Sequence, residues 1–220
     1  MPQTHRKACI LMTESRTTGE YLQDLASASS APGGGSAAAL AAALGASLCS
    51  MAANLTLGKK KYIAVEADMH RIISRCASLQ AEFLRLSDAD AEAFLPLSRI
   101  YALPKDAPGY AELFAQASIQ ACSAVCGILD CCCETVQLLE ETLEKCSRLL
   151  ISDVACGAAL CRAAMECAAL NIYINTRSVR SSPEAARIEE KTETILKEYL
   201  PRAERMLSSV TEALRGNTNA

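Results

Sequence analysis

SAPGGGSAAALAAALGASLCSMAANLTLGKKKY, residues Ser30–Tyr62, has a proline and three glycines near its start, runs through an uncharged alanine-rich stretch, and closes on three lysines and a tyrosine. The glycines are not a Walker motif, because no lysine follows at the required place and Lys59 lies a whole helix away. No strand precedes them, so the dinucleotide fingerprint is also excluded. A glycine turn that delivers a helix N-terminus can still meet an anionic or carbonyl oxygen, or simply let two backbones approach. The alanine run from Ala37 to Leu57 is long enough to cross a bilayer. It is nevertheless mainly alanine, with Ser47, Ser50, Asn54 and Thr56 along it, and alanine contributes little to insertion. With no second candidate span in view, the run reads as a helix buried in a bundle or at a subunit interface.

Composition agrees with helices. Half of the 220 residues are apolar, yet only 4% are aromatic and none is Trp, so Ala, Leu and Cys carry the hydrophobicity. A sheet protein would lean on β-branched and aromatic residues. The net charge of −3 gives no general attraction to nucleic acid or anionic lipid. The twelve cysteines sit in apolar helical stretches without CxxC pairs, and only His5 and His70 could assist a metal. They read as free thiols packed as small hydrophobes in a reducing cytosol, with no cofactor and no metal site expected. The N-terminus has only five consecutive apolar residues, too few for a secretory core, and residues 1–16 read as a flexible leader.

Residues 17–216 then read as one all-α domain, a multihelical antiparallel bundle. Helices are expected over Thr18–Ser29, Ser36–Leu57, Val65–Ala102, Tyr110–Leu150, about 152–177 and 182–214. Pro96 should bend or break the third, Gly127 interrupt the fourth, and Pro201 kink the last. Ser152 or Asp153 is the expected N-cap of the fifth helix, and Ser182 with Pro183 starts the sixth.

Against this background a few polar residues stand out. The apolar seam of the third helix runs through Phe83 and Leu86, and four residues later it lands on Asp90. A carboxylate in a core-facing slot is costly unless it is paired or used. Asp88 lies two positions earlier, toward the opposite side. Asn171 and Asn175 share a helix face at i and i+4, flanked by Leu170, Ile172, Tyr173 and Ile174. Such an amide pair could read the donors and acceptors of a heterocycle, or lock two helices together. Lys59, Lys60 and Lys61 form either a solvated turn or a cradle for a carboxylate-rich ligand.

Taken together, PGGGSAAALAAALGASL (32–48), MAANLTLGKKKY (51–62), DADAEAF (88–94), LPK (103–105) and SDVACGAAL…AALNIYIN (152–175) resemble the cyclodeaminase/cyclohydrolase family of tetrahydrofolate enzymes. The resemblance covers about residues 20–180; ACSAVCGIL at 121–129 departs from it, standing where members often have a proline-containing segment. It implies an all-helical, metal-free homodimer acting on the one-carbon unit at N5 and N10 of tetrahydrofolate. Asp90 is then the expected acid/base, with Asp88 as the weaker candidate. Gly33, Gly34, Gly35 and Ser36 would give close backbone approach, and Asn54, Asp153, Asn171 and Asn175 would orient substrate. Lys59–Lys61 and Lys105 would hold a polyglutamate tail, so that PGGGS and GKKKY flank one folate site. The expected reaction is cyclodeamination of 5-formiminotetrahydrofolate. The alternatives are hydrolysis of 5,10-methenyltetrahydrofolate, or a helical folate-binding module without turnover. A separate glutamate formiminotransferase is the expected supplier of substrate, and no nucleic acid or membrane partner is expected.

Overall fold

The computed structural model describes residues 12–216. Six helices carry the architecture: α1 (Thr18–Leu25), α2 (Gly34–Asn54), α3 (Glu66–Ile100), α4 (Tyr110–Lys145), α5 (Ile151–Thr176) and α6 (Pro183–Leu214). No strand occurs among the described residues. Short 3-10 turns join them at Lys60–Val65, Arg148–Leu150 and Arg177–Val179, and another, Thr13–Ser15, precedes α1.

Cross-helix contacts set the directions. Ser36 meets Asp90 and Ser47 meets Gln80, so α3 runs back along α2. Arg75 pairs with Glu134 and Lys145 with Asp68, which makes α3 and α4 antiparallel as well. A Cβ on Gly34 would touch Asn171, and one on Gly45 would touch Cys161, so α5 opposes α2. The result is an up-down-up-down core of α2–α5, with α6 laid over α4 and α5 through Lys191–Asp130, Arg202–Glu140 and Arg162–Glu204.

The core is built largely from small residues. Ala39, Ala42, Ala46, Ala52 and Ala53 of α2 are buried against Ile72, Phe83, Ile128, Val154, Ala158 and Met165. Small side chains let helix axes approach closely, and a helix so apolar on its inner side is held by burial rather than by propensity. Cys49, Cys76, Cys132 and Cys161 are all buried in this core, and the eleven described cysteines are free thiols. Burial pushes the thiols of Cys132 and Cys161 above their ordinary value, as befits side chains used for packing.

Several boundaries differ from the sequence expectations. Helix α3 continues through Pro96 and α6 through Pro201. A proline inside a helix costs about 3 kcal/mol, and beside Pro96 the fully buried Leu97 packs with Ala117 and Ala121 to hold α3 on course. Helix α4 is not interrupted at Gly127, because that glycine serves close packing: a Cβ there would stand 2.9 Å from a methyl of Leu86. Helix α5 begins at Ile151 with Leu150 as N-cap, so Asp153 lies within the first turn and caps nothing. The 3-10 turn at Arg148–Leu150 feeds α5 directly and leaves no extended residue for a side-chain cap. Ser182 does cap α6, accepting from the amide of Glu184.

Of the expected leader, residues 1–11 lie outside the described residues, and Thr13 is hydrogen-bonded to Asp88 of α3. Helix α4 is a second segment long and apolar enough to cross a bilayer besides α2, where the sequence leads one to expect a single candidate. In both, 56% of the apolar window is buried against other helices.

Candidate active site

A cleft of about 170 Å³ opens where the N-terminus of α2 meets α3, α4 and the C-terminal part of α5. Its wall includes Ser30, Ala31, Gly33 and Gly34 from the glycine turn, Asp90 and Phe94 from α3, and Asn171, Ile174 and Asn175 from α5. Residues separated by more than a hundred positions in the chain thus meet because α2 and α5 are antiparallel.

The first turn of α2 explains why glycine is needed. A Cβ on Gly35 would fall 2.3 Å from Oδ1 of Asp90, and one on Gly34 would fall 2.9 Å from Nδ2 of Asn171. Neither neighbour is free to give way: the Asp90 carboxylate is bound to the helix, and Asn171 donates to the carbonyl of Cys167 at 2.8 Å. The glycines therefore allow a carboxylate and an amide to touch the helix backbone itself.

Asp90 is bound at that backbone. Its Oδ2 accepts from the Ser36 amide at 2.8 Å and lies 3.4 Å from the Ser36 hydroxyl, which donates to the Ser87 carbonyl at 2.7 Å. The Ser36 amide is one of the first N–H groups of α2 and has no acceptor within its own helix. Asp90 thus caps α2 from another helix, at its positive dipole end. Burial nevertheless wins: it pushes the Asp90 carboxyl above its ordinary value, against the two Ser36 contacts that lower it. A half-buried carboxyl with a raised pKa, at the wall of a cleft, is suited to exchanging a proton with a bound molecule.

Of the expected site residues, Gly33–Ser36, Asp90, Asn171 and Asn175 come together here. Asp88 does not line the cleft. It sits on a different face of α3, where Oδ1 accepts from both the amide and the hydroxyl of Thr13. Asn54, Lys59, Lys60, Lys61 and Asp153 lie at the opposite end of α2 and α5. Helix α2 has 21 residues, so at 1.5 Å per residue about 30 Å separates the two groups. The expectation that PGGGS and GKKKY flank one site is therefore not met within a single chain. Asn54 turns its amide back onto Ser50, and all three lysines are exposed. Lys105 lies in the exposed turn joining α3 to α4, outside the cleft. Among the described residues no cluster of three or more His, Cys, Asp or Glu side chains could hold a metal ion.

Phe94, Ala121 and Ile174 were not anticipated as wall residues. Phe94 belongs to the same seam as Asp90, whereas Ile174 reveals its position only through its exposure, at 59%. Ser87 could have been found by the argument that found Asp90, because it follows Phe83 by four and is a buried polar residue.

The chain is similar to several known proteins. The Formiminotransferase-cyclodeaminase family profile matches residues 17–194. The chain is 32% identical over 203 residues to methenyltetrahydrofolate cyclohydrolase of Methylorubrum extorquens, covering 90% of this chain and 98% of that protein. It is 29% identical to formimidoyltransferase-cyclodeaminase of Sus scrofa over 81% of this chain, spanning 34% of that longer protein. The crystal structure of formiminotetrahydrofolate cyclodeaminase from Thermotoga maritima superposes with a TM-score of 0.76 at 25% identity, covering 90% of this chain and 98% of that one.

Proposed function

The chain belongs to the formiminotransferase-cyclodeaminase family, an enzyme of folate one-carbon chemistry, and from that premise we propose that it acts on the carbon bridging N5 and N10 of tetrahydrofolate, with Asp90 as the acid/base. The observation that carries this reading is the Asp90 carboxylate held on the N-terminus of α2, at the wall of a cleft lined by Asn171 and Asn175.

Two reactions fit such a site. In cyclohydrolysis, water adds to the cationic methenyl carbon of 5,10-methenyltetrahydrofolate and passes a proton to Asp90. The bond from that carbon to N5 then breaks and N5 takes a proton back, leaving 10-formyltetrahydrofolate and one net proton. In cyclodeamination, N10 attacks the formimino carbon of 5-formiminotetrahydrofolate, Asp90 removes the N10 proton and returns one to the departing nitrogen, and ammonia leaves. Both require a carboxyl that can hold a proton in one step and release it in the next. Both also pass through a cationic methenyl carbon, the substrate of the first reaction and the product of the second, whose charge the ionised carboxylate offsets.

The expected cyclodeamination calls for a site that excludes water, so that N10 attacks in preference to solvent. In the chain the cleft is open at its rim, where Gly34 and Ile174 are exposed, and the relative matched from end to end at 32% identity is a cyclohydrolase. We therefore take cyclohydrolysis as the first reading. Cyclodeamination is the second, favoured by the Thermotoga maritima neighbour. Purified protein given 5,10-methenyl- and 5-formiminotetrahydrofolate separately decides between them by kcat/KM. A tenfold preference, about 1.4 kcal/mol in barrier, for ammonia release would reverse the order, and turnover of neither would leave only a folate-binding module.

The outer face of α2 and α5 supports a homodimer. Leu44 and Met51 of α2, Leu55 just beyond it and Leu170 of α5 are all exposed, and α2 carries no charged residue. Apolar surface of this kind marks interfaces. A two-fold axis lying across the helices would set the lysine end of one copy against the Asp90 end of the other. An axis along them would bring like-charged ends together. The first arrangement would return Lys59–Lys61 to a folate site as the holder of a glutamate tail. Light scattering that gives a stable monomer at micromolar concentration would remove it.

A further inference from the structure

The mechanism above leaves one ordered cluster unused, on the side of Asp90 away from the cleft. Asp88 Oδ1 accepts from the Thr13 amide at 2.9 Å and from the Thr13 hydroxyl at 2.5 Å. A hydroxyl has one proton, and Thr13 gives its own to Asp88. The 3.2 Å contact between the Thr13 and Ser87 hydroxyls is therefore filled by the proton of Ser87. Ser87 is 1% exposed, and its carbonyl accepts from the Ser36 hydroxyl. Ser36 in turn donates its amide to Asp90. A continuous chain of contacts thus runs from the N-terminal turn, through α3, to the first turn of α2. Tyr21 of α1 closes over the same place: it is 5% exposed and lies beside Ser87, and its hydroxyl is buried without a hydrogen-bond partner among the described residues.

We infer that Thr13, anchored by Asp88, is a positioning residue: it clamps the Ser87–Asp90 turn of α3 onto the N-terminus of α2 and so fixes the carboxylate that faces the substrate. This role of Asp88 differs from that of an acid or base, because its carboxylate is spent on two donors of the N-terminal turn. The inference rests on the reading of Asp90 as the reacting carboxyl. It also gives the described turn before α1, residues 12–17, a function in the site, although it contributes no residue to the cleft wall.

The test compares Thr13→Val, which keeps the shape and the amide bond but loses the hydroxyl, with Thr13→Ser, which keeps the hydroxyl. The valine variant should lose about tenfold in kcat with KM within about twofold, as expected when a reacting group is misplaced rather than removed. The serine variant should recover kcat to within about twofold. A second readout needs no substrate. The Ser36 amide has Asp90 as its acceptor, so its hydrogen exchange should be at least about tenfold faster in the valine variant than in the wild type or the serine variant. Unchanged kcat and unchanged Ser36 exchange in the valine variant overturn the clamp, as does a loss that serine fails to restore. If the wild type turns over neither folate, the proposed function fails, and the Ser36 exchange still decides the clamp.

Discussion

The two ends of α2 contain the same kinds of residue and put them to different use. At the N-terminal end Gly34, Gly35 and Ser36 press against Asp90 and Asn171, with Asp90 accepting from Ser36 on another helix and Asn171 donating within its own. At the C-terminal end Asn54, Lys59, Lys60 and Lys61 are exposed, and Asn54 bonds only its own helix. A polar group held in place by packing can do chemistry at a defined point. A mobile, solvated one can attract a flexible anion but cannot orient it. The contrast predicts that substitutions at the first end act on kcat and those at the second on KM.

The largest effect should follow Asp90→Asn, which keeps the volume and the Ser36 bond but removes the charge and the exchangeable proton. Loss of an acid/base costs about 10²–10⁴ in kcat, while folate should still bind. Near-normal turnover in stopped-flow absorbance would make Asp90 structural. Next in size is Gly35→Ala, whose methyl would occupy the position of the Asp90 carboxylate. Displacement by about an ångström costs about hundredfold, so a variant that kept its kcat would mean that the close approach is incidental. Smaller again is Asn171→Ala, expected to cost about tenfold in kcat/KM through loss of one amide contact to substrate, an energy of about 1.4 kcal/mol. Equal loss of thermal stability and activity would instead point to helix locking.

At the other end, replacing Lys59, Lys60 and Lys61 together with Ala should raise KM several-fold for polyglutamylated folate and leave the monoglutamate unchanged. Exposed pairs contribute about 1 kcal/mol or less and weaken with salt. Identical effects on both substrates would take the lysines out of tail binding. The smallest effect concerns stability. The Asp90 carboxyl is raised by burial, so the folded state holds its proton to higher pH than the unfolded chain does. Stability from this residue therefore falls as pH rises from the ordinary carboxylate range through the raised value. Asp90→Asn should melt above wild type at neutral pH and match it in acid. The opposite trend would mean that the helix dipole and Ser36 outweigh burial.

Much of this contrast was legible in the residues. The glycine turn, the uncharged run behind it and the seam through Phe83 and Leu86 to Asp90 follow from periodicity, because burial in a helix repeats every three to four positions. Asn171 and Asn175 stood out for the same reason. What periodicity does not carry is distance between helices. The resemblance and the charge of Lys59–Lys61 put them beside the glycines, although a 21-residue helix intervenes. Asp88 was paired with Asp90 by sequence proximity, and only the N-terminal turn packed on α3 shows what it binds. Pro96 and Gly127 were read as breaks from local propensity, which packing against Leu86 and around Leu97 overrides.

The proposed function requires the one-carbon unit to bind at the glycine end of α2. Hydrogen–deuterium exchange with and without the monoglutamate of 5-formyltetrahydrofolate, a stable analogue carrying its carbon on N5, tests this directly. The predicted result is slowed exchange in residues 30–37, 88–94 and 168–176, with no change at 55–62. Protection confined to 55–62, with the glycine turn and Asp90 unaffected, would contradict it.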